Sequence, residues 1–292
     1  VRSRAIGEGF TRRRTFTIST NTNGIRIPDK LAGKNQTYVG NKRGFRIVAM
    51  GASESFGWGV PYEESYPAHL ATILEAEVVN ASAPAGITAQ MVRWAKKYLP
   101  ALEPDLVIYS LRPPYPEKDP AASFAKTLQS LAEVAGDAPL LVVLPALSTF
   151  DLQLPELIAA YEGAEDPVAA DVDAVAKALG NIPVIGLTRA FRAGQQAYTG
   201  GKPGELVVTM KTVDGKQIVS TPDGTQVLSA TAPEIPKQQN FFGLPPSVIA
   251  KEVLAEFEAK HNMREPLFFD GGHPDAEGYR LMAEVIAQAI KA

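Results

Sequence analysis

The feature that most limits the fold of this chain is a series of short, unbroken apolar runs separated by stretches of helical spacing. Arg46-Ile-Val-Ala-Met50 stops at Gly51, and Glu77 to Asn80 follows. Asp105 to Leu111 reads DLVIYSL, and Pro139 to Pro145 reads PLLVVLP. Ile182 to Leu187 is the fifth run. A strand with one wet face alternates apolar and polar residues. A run that is apolar throughout is covered on both faces, as in a parallel sheet.

Between these runs the spacing predicts helices over Glu63 to Leu74, with Leu70 and Leu74 on one face, and over Thr88 to Leu99, closed by Pro100. Further helices are predicted over Ala121 to Ala135, Val168 to Leu179, Val248 to His261 and Ala276 to Ala292. Alternating strands and helices predict a three-layer α/β/α sandwich of flavodoxin-like type around a five-stranded parallel sheet. Ligands of such sheets bind beyond the carboxyl ends of the strands. The residues after Met50, Asn80, Leu111 and Pro145 are therefore where chemistry is expected.

One segment breaks the alternation. From Glu205 to Thr231, β-branched and polar residues alternate around Asp214-Gly215 and Pro222-Asp-Gly224. Asp-Gly pairs are strong hairpin signals. A β-ribbon insertion of two or three strands is expected at about 200–235, serving as an edge decoration or as a lid over the site. The rest of 46–292 is expected to form one domain.

Charge is unevenly spread. Residues 1–45 hold ten Lys/Arg and two acidic residues, a net of +8, and the remainder carries −11, giving −3 in all. With that overall balance, electrostatics offers no case for nucleic-acid binding. The basic segment 1–45 is expected to be an arm packed on the domain or leading into it. The alternative is contact with a membrane surface or an anionic polymer. Because the chain begins with Val1, an upstream signal peptide or membrane anchor is expected, and with it an extracytoplasmic, bacterial setting close to a membrane. No run reaches the length of a membrane-spanning helix. The absence of cysteine excludes disulfides, thiolate metal sites and cysteine nucleophiles. Neither metal nor cofactor is expected.

Two constellations carry chemistry. Gly51-Ala-Ser53-Glu-Ser55-Phe-Gly57-Trp-Gly59 follows the first strand directly. A serine there lies at a strand end and at the start of the next helix, where main-chain N–H groups favour developing negative charge. A glycine-rich turn can also cradle phosphate, but neither phosphate-loop signature is present. The second constellation is Phe268-Phe-Asp270-Gly-Gly-His273-Pro274, ahead of the last helix. Its spacing lets a carboxylate hold one imidazole nitrogen while the other takes a proton from a hydroxyl. His69 and His261 lie in predicted helices and read as surface or packing residues. Trp58 and Tyr115 could shape a sugar or acyl site, or simply pack.

These motifs resemble the SGNH (GDSL-like) hydrolase family. Gly51-Ala-Ser53-Glu-Ser55-Phe-Gly57 resembles its first block, and Asp270-Gly-Gly-His273-Pro274 its last. Val78-Val-Asn80-Ala-Ser-Ala-Pro-Ala-Gly86 is similar to the second. The resemblance runs from about Asn21 to the C-terminus, apart from the ribbon. It implies cleavage of an acyl or acetyl ester, of lipids or of acetylated sugars, by a Ser53–His273–Asp270 triad through an acyl-enzyme. It also implies an oxyanion site from the N–H groups of Ser53 and Gly86, with Ala85 the neighbouring candidate. Two blocks depart from the pattern. Ala52 replaces the family's Asp. The third block, Gly-x-Asn-Asp, has no counterpart in Tyr109-Ser-Leu-Arg112-Pro-Pro-Tyr115. Loss of one oxyanion donor typically costs ~10²–10³ in rate. Arg112 stands where that Asn would be. It could substitute for the Asn, bind an anionic substrate group, or only structure its loop. A small-molecule or glycan ester is the expected partner. The alternatives are a non-catalytic carbohydrate- or partner-binding module and an O-acetyltransferase component of an envelope polysaccharide system.

Overall fold

The computed structural model describes residues 2–8, 13–34, 37–84, 88–110, 120–146, 209–213, 216–220, 226–231, 267–268 and 273–292, together with short pieces between 176 and 194. The central sheet has five strands: β3 (Arg46–Met50), β4 (Glu77–Asn80), β5 (Leu106–Ser110), β6 (Leu140–Leu144) and β7 (Val184–Gly186), in the order β4-β3-β5-β6-β7. Every adjacent pair is parallel. The expected five-stranded α/β sandwich is the fold observed.

The alternation of side chains along each strand explains why the apolar runs are continuous. On β3, Val48 and Met50 face a core that contains Met91, Ala95 and Leu99 of helix α3 (Thr88–Leu102) and Leu128 and Leu131 of helix α4 (Pro120–Ala135). Ile47 and Ala49 face the other core, built from Tyr66 and Leu70 of α2 (Tyr66–Leu74) and Tyr279, Met282 and Ile286 of α5 (Ala276–Lys291). Two cores on opposite faces of one sheet are the physical content of the three-layer description.

Two helix limits differ from expectation. α2 begins at Tyr66 because Tyr62–Glu64 forms a separate 3₁₀ turn that ends at Ser65. α3 runs through Pro100 to Leu102. Proline there removes one helical N–H, but Leu99 and Leu102 are both buried, and the Leu102 carbonyl accepts a 2.6 Å bond from Arg46 Nη1. Tertiary packing outweighs the local break.

Residues 209–231 form an antiparallel sheet of β8 (Thr209–Val213), β9 (Lys216–Ser220) and β10 (Gln226–Thr231). Val213 of β8 pairs with Lys216 of β9, the register that a hairpin signal at Asp214-Gly215 predicts. The predicted helices at 168–179 and 248–261 lie outside the described residues, apart from 176–177.

The basic segment has structure of its own. β1 (Arg2–Glu8) and β2 (Arg13–Ser19) form an antiparallel hairpin. The following stretch is built into the body: Ile25, Ile27 and Tyr38 belong to the core against α3 and α4. The Arg26 main chain bridges Asn80, its N–H donating to the Asn80 carbonyl at 2.9 Å. Trp94 Nε1 of α3 donates to the Asn23 carbonyl and fastens the turn that presents Arg26. Among the described residues no helix is long and apolar enough to cross a membrane.

Candidate active site

Ser53 opens α1 (Ser53–Phe56), a single helical turn placed directly at the carboxyl end of β3. The entry is tight. Gly51 has φ +153°, and a Cβ there would lie 2.7 Å from Ser55 Cβ and 2.9 Å from both Cβ and O of Ser110. Only glycine lets β3 pass β5 that closely and still turn into α1. The turn ends at Gly57 in the left-handed conformation, φ 84° and ψ 46°. The amides of Gly57 and Trp58 both return to the Ser53 carbonyl, at 3.1 and 3.0 Å.

His273 reaches the same place from the far end of the chain. Its Nε2 lies 2.8 Å from Ser53 Oγ, across a separation of 220 residues. The approach is set by the start of α5. Asp275 caps the helix by accepting from the Gly278 N–H at 2.9 Å, and its own N–H donates to the Leu267 carbonyl at 2.9 Å. Phe268 and Pro274, next to His273, form a β-bridge. The Tyr279 hydroxyl donates to the Trp58 carbonyl at 3.2 Å, joining α5 to the serine loop.

Gly278 is the tightest point of this assembly. A Cβ on it would lie 2.2 Å from the Leu267 carbonyl oxygen, a main-chain atom with little freedom to move. Gly278→Ala should therefore push α5 away from Leu267. The expected cost is about 1–3 kcal/mol of stability, with a fall in activity as His273 moves off Ser53. Thermal unfolding and ester hydrolysis on the same sample check this.

Behind the serine lies a buried polar network that links three parts of the sequence. Ser82 Oγ donates to Ser55 Oγ at 2.8 Å, and Ser55 Oγ and Tyr66 Oη share a hydrogen bond of 2.9 Å. Asn80 Oδ1 accepts from the Ser82 N–H, and Asn80 Nδ2 donates to the Phe56 carbonyl at 3.1 Å. Burial pushes the Tyr66 phenol well above its ordinary value, against the opposing effect of Ser55, so it stays protonated. The network packs α1 against the carboxyl ends of β3 and β4 with no apolar slack.

The other anchor is Arg26, which motif reading passes over. Its side chain is almost wholly buried. Nη1 donates to the carbonyls of Phe56 and Gly57 at 2.5 and 2.8 Å, and Nη2 to that of Val60 at 2.7 Å. The guanidinium also lies 4.7 Å from the centre of the Phe56 ring. Burial lowers its pKa to about 10, opposed by the nearby phenols of Tyr279 and Tyr62 and the carboxylates of Asp29 and Glu63, so it remains charged at neutral pH.

Of the residues singled out from sequence, Ser53 and His273 are therefore brought together. Asp270, Gly86 and Arg112 lie outside the described residues, as do Ala85, Tyr115 and His261. His69 is half-buried on α2, where desolvation first and then the positive charge of Arg280 lower its pKa. Trp58 meets Phe16 of β2 edge to face at 5.3 Å, so its ring serves packing between the hairpin and the serine loop. Among the described residues no group of three His, Asp or Glu side chains is placed to hold a metal ion.

No protein-family profile and no curated protein matches this chain. Among solved structures it is similar to a lipase/acylhydrolase from Enterococcus faecalis, with 15% identity over 85% of this chain and 95% of that chain and a TM-score of 0.47. It is also similar to a lipolytic protein of the G-D-S-L family from Desulfitobacterium hafniense, with 18% identity over 83% of this chain and 98% of that one and a TM-score of 0.46. A GDSL-like lipase from Bacteroides thetaiotaomicron aligns at 16% identity over 84% and 87% of the two chains, with a TM-score of 0.41. The functional reading rests on the residues of the site itself.

Proposed function

We propose that this protein is a serine-dependent ester hydrolase of the SGNH type, acting on an acyl or acetyl ester, of a lipid or of a carbohydrate. The observation that carries the reading is the 2.8 Å contact of Ser53 Oγ with His273 Nε2 at the carboxyl end of β3. A hydroxyl within hydrogen-bond reach of an imidazole is the pair that acyl transfer needs. Ser53 Oγ attacks the ester carbonyl while Nε2 takes its proton. The tetrahedral adduct then collapses, and His273 returns the proton to the leaving alcohol. Water repeats the sequence on the acyl-enzyme and releases the acid. Asp270, three residues before His273, is assigned to the other imidazole nitrogen, where a carboxylate fixes the tautomer and stabilises the imidazolium.

The oxyanion is assigned to the Ser53 amide, with Gly86 and Arg112 as further donors. The first amides of a helix have no acceptor within it, so that of Ser53 is available. If a sugar hydroxyl replaces water at the second step, the same machinery transfers the acyl group instead of hydrolysing it. The basic N-terminal segment is compatible with work near an anionic envelope or membrane surface. A second reading, a binding module without turnover, is favoured by Ala52 and by the absence of Asn between Tyr109 and Tyr115.

p-Nitrophenyl esters of two to twelve carbons and an O-acetylated polysaccharide separate these readings. A hydrolase releases nitrophenol and free acid. A transferase, given an acceptor sugar, yields the acylated sugar. Folded protein that binds the polysaccharide but turns over no ester of any length would overturn the assignment in favour of a binder.

A further inference from the structure

We propose that Arg26 is a positioning residue for Ser53, so that the N-terminal segment, lying outside the catalytic motifs, completes the active site. The inference rests on the serine-hydrolase reading. Its basis is a short covalent and hydrogen-bonded path. The Arg26 guanidinium donates to the carbonyl of Gly57, and the amide of Gly57 donates to the carbonyl of Ser53. A single residue thus joins the buried cation to the nucleophile's own main chain.

The turn that carries Ser53 is only four residues long and cannot hold its position through its own hydrogen bonds. Its end presents the carbonyls of Phe56 and Gly57, the loop that follows presents that of Val60, and all three residues are buried. Buried carbonyls need donors. The two terminal nitrogens of Arg26 serve all three, and Asn80 Nδ2 adds a second donor to Phe56. A positive charge at this end of the turn also complements the helix dipole. Among the described residues no carboxylate lies within ion-pair distance of Arg26, so the charge is spent on these carbonyls and on the Phe56 face. The fit leaves no slack: a Cβ on Gly57 would lie 2.5 Å from Arg26 Nη1. Ile25 and Ile27, on either side, are buried in the core against α3 and α4, which fixes where the guanidinium points.

Arg26→Lys keeps the charge but replaces a fork with one nitrogen, which cannot span the Val60 carbonyl and the other two. A misplacement of about 1 Å remote from the chemistry can cost 10²-fold in rate. The expected result is a fall in kcat of at least about tenfold with KM changed less than about twofold. Two readouts distinguish positioning from mere stability. The first is the rate constant for fluorophosphonate attack per reactive serine, measured apart from the final amount of adduct. The second is the ¹⁵N signal of the His273 ring, with Ser53→Ala marking an imidazole without its hydroxyl partner.

Positioning predicts a slower rate at full final adduct, and a His273 signal displaced toward that of Ser53→Ala. A lower melting temperature with wild-type rate constant and wild-type signal would overturn it. If Arg26→Lys does not fold, Arg26→Gln, which keeps one amide donor toward these carbonyls without the charge, decides by the same readouts: a slower rate with a displaced signal supports positioning, and wild-type values refute it. Should wild type form no adduct, the hydrolase reading falls, and the ring signal alone still decides whether Arg26 holds Ser53 to His273.

Discussion

Ser53→Ala is expected to lower ester hydrolysis by about 10⁴–10⁶-fold while leaving the fold intact. Removing the nucleophile of a serine hydrolase eliminates the covalent path, and what survives comes from binding and oxyanion stabilisation alone. The structural cost is small by comparison. Ser53 is partly buried and its Oγ bonds to His273, so its loss forfeits that hydrogen bond, about 0.5–1.5 kcal/mol. Gly51, Gly57 and the network of Ser55, Tyr66 and Ser82 still hold the turn in place. Steady-state hydrolysis beside a melting curve checks both halves. Residual activity within tenfold of wild type would mean that another group does the chemistry.

Arg46→Ala is expected to do the opposite, a large loss of stability with the chemistry unchanged. Arg46 is fully buried at the start of β3. Its Nε bonds Glu77 Oε2 at 2.7 Å, and its Nη1 bonds the carbonyls of Tyr38 and Leu102 at 2.8 and 2.6 Å. Its main-chain N–H donates to Asp105 Oδ2 at 2.7 Å. One side chain thus ties together the 37–45 segment, β3, β4 and the end of α3. Truncation leaves the Glu77 carboxylate, which is only 17% exposed, with the Arg43 N–H at 3.1 Å but without its buried cation, and takes the Arg46 donor from two carbonyls. Breaking a buried pair in this way costs about 3–5 kcal/mol. The urea midpoint should fall by about 1 M or more. Arg46 starts β3 and Ser53 follows its far end, and the strand from Arg46 to Met50 alone spans about 13 Å at about 3.3 Å per residue. The folded fraction should therefore keep the wild-type kcat. A fall in kcat per folded molecule would show that the two ends of the strand are coupled.

These two residues also show what is legible in such a sequence. The sheet is readable because its strands are buried on both faces, so their composition is apolar throughout, and β3 to β7 fall within the predicted runs. Helix limits are less readable where tertiary contacts override a local signal. The burial of Leu102 carries α3 past Pro100, and a 3₁₀ turn delays α2. Ser53 and His273 are readable because glycine-bearing turns at a strand end and before a helix are local signals, although their meeting across 220 residues is not itself written in either segment.

The supports of the site are much harder to read. Ile25-Arg26-Ile27 alternates like a strand with one wet face, and the alternation rule sends Arg26 to solvent. In the structure it faces inward, because the carbonyls at the end of a one-turn helix need donors, and no local pattern announces such a demand. The Arg2–Glu8 strand of the N-terminal hairpin is similarly quiet. It has one β-branched residue, Ile6, and is recognisable through its pairing with β2 more than through its own composition.

The measurement that tests the account most directly is the intact mass of the protein after incubation with a fluorophosphonate probe, run beside Ser53→Ala and His273→Ala. The account predicts one adduct per wild-type chain, none on Ser53→Ala, and strongly slowed labelling of His273→Ala. A folded wild-type chain that takes up no probe, or one labelled equally well without Ser53, would contradict it.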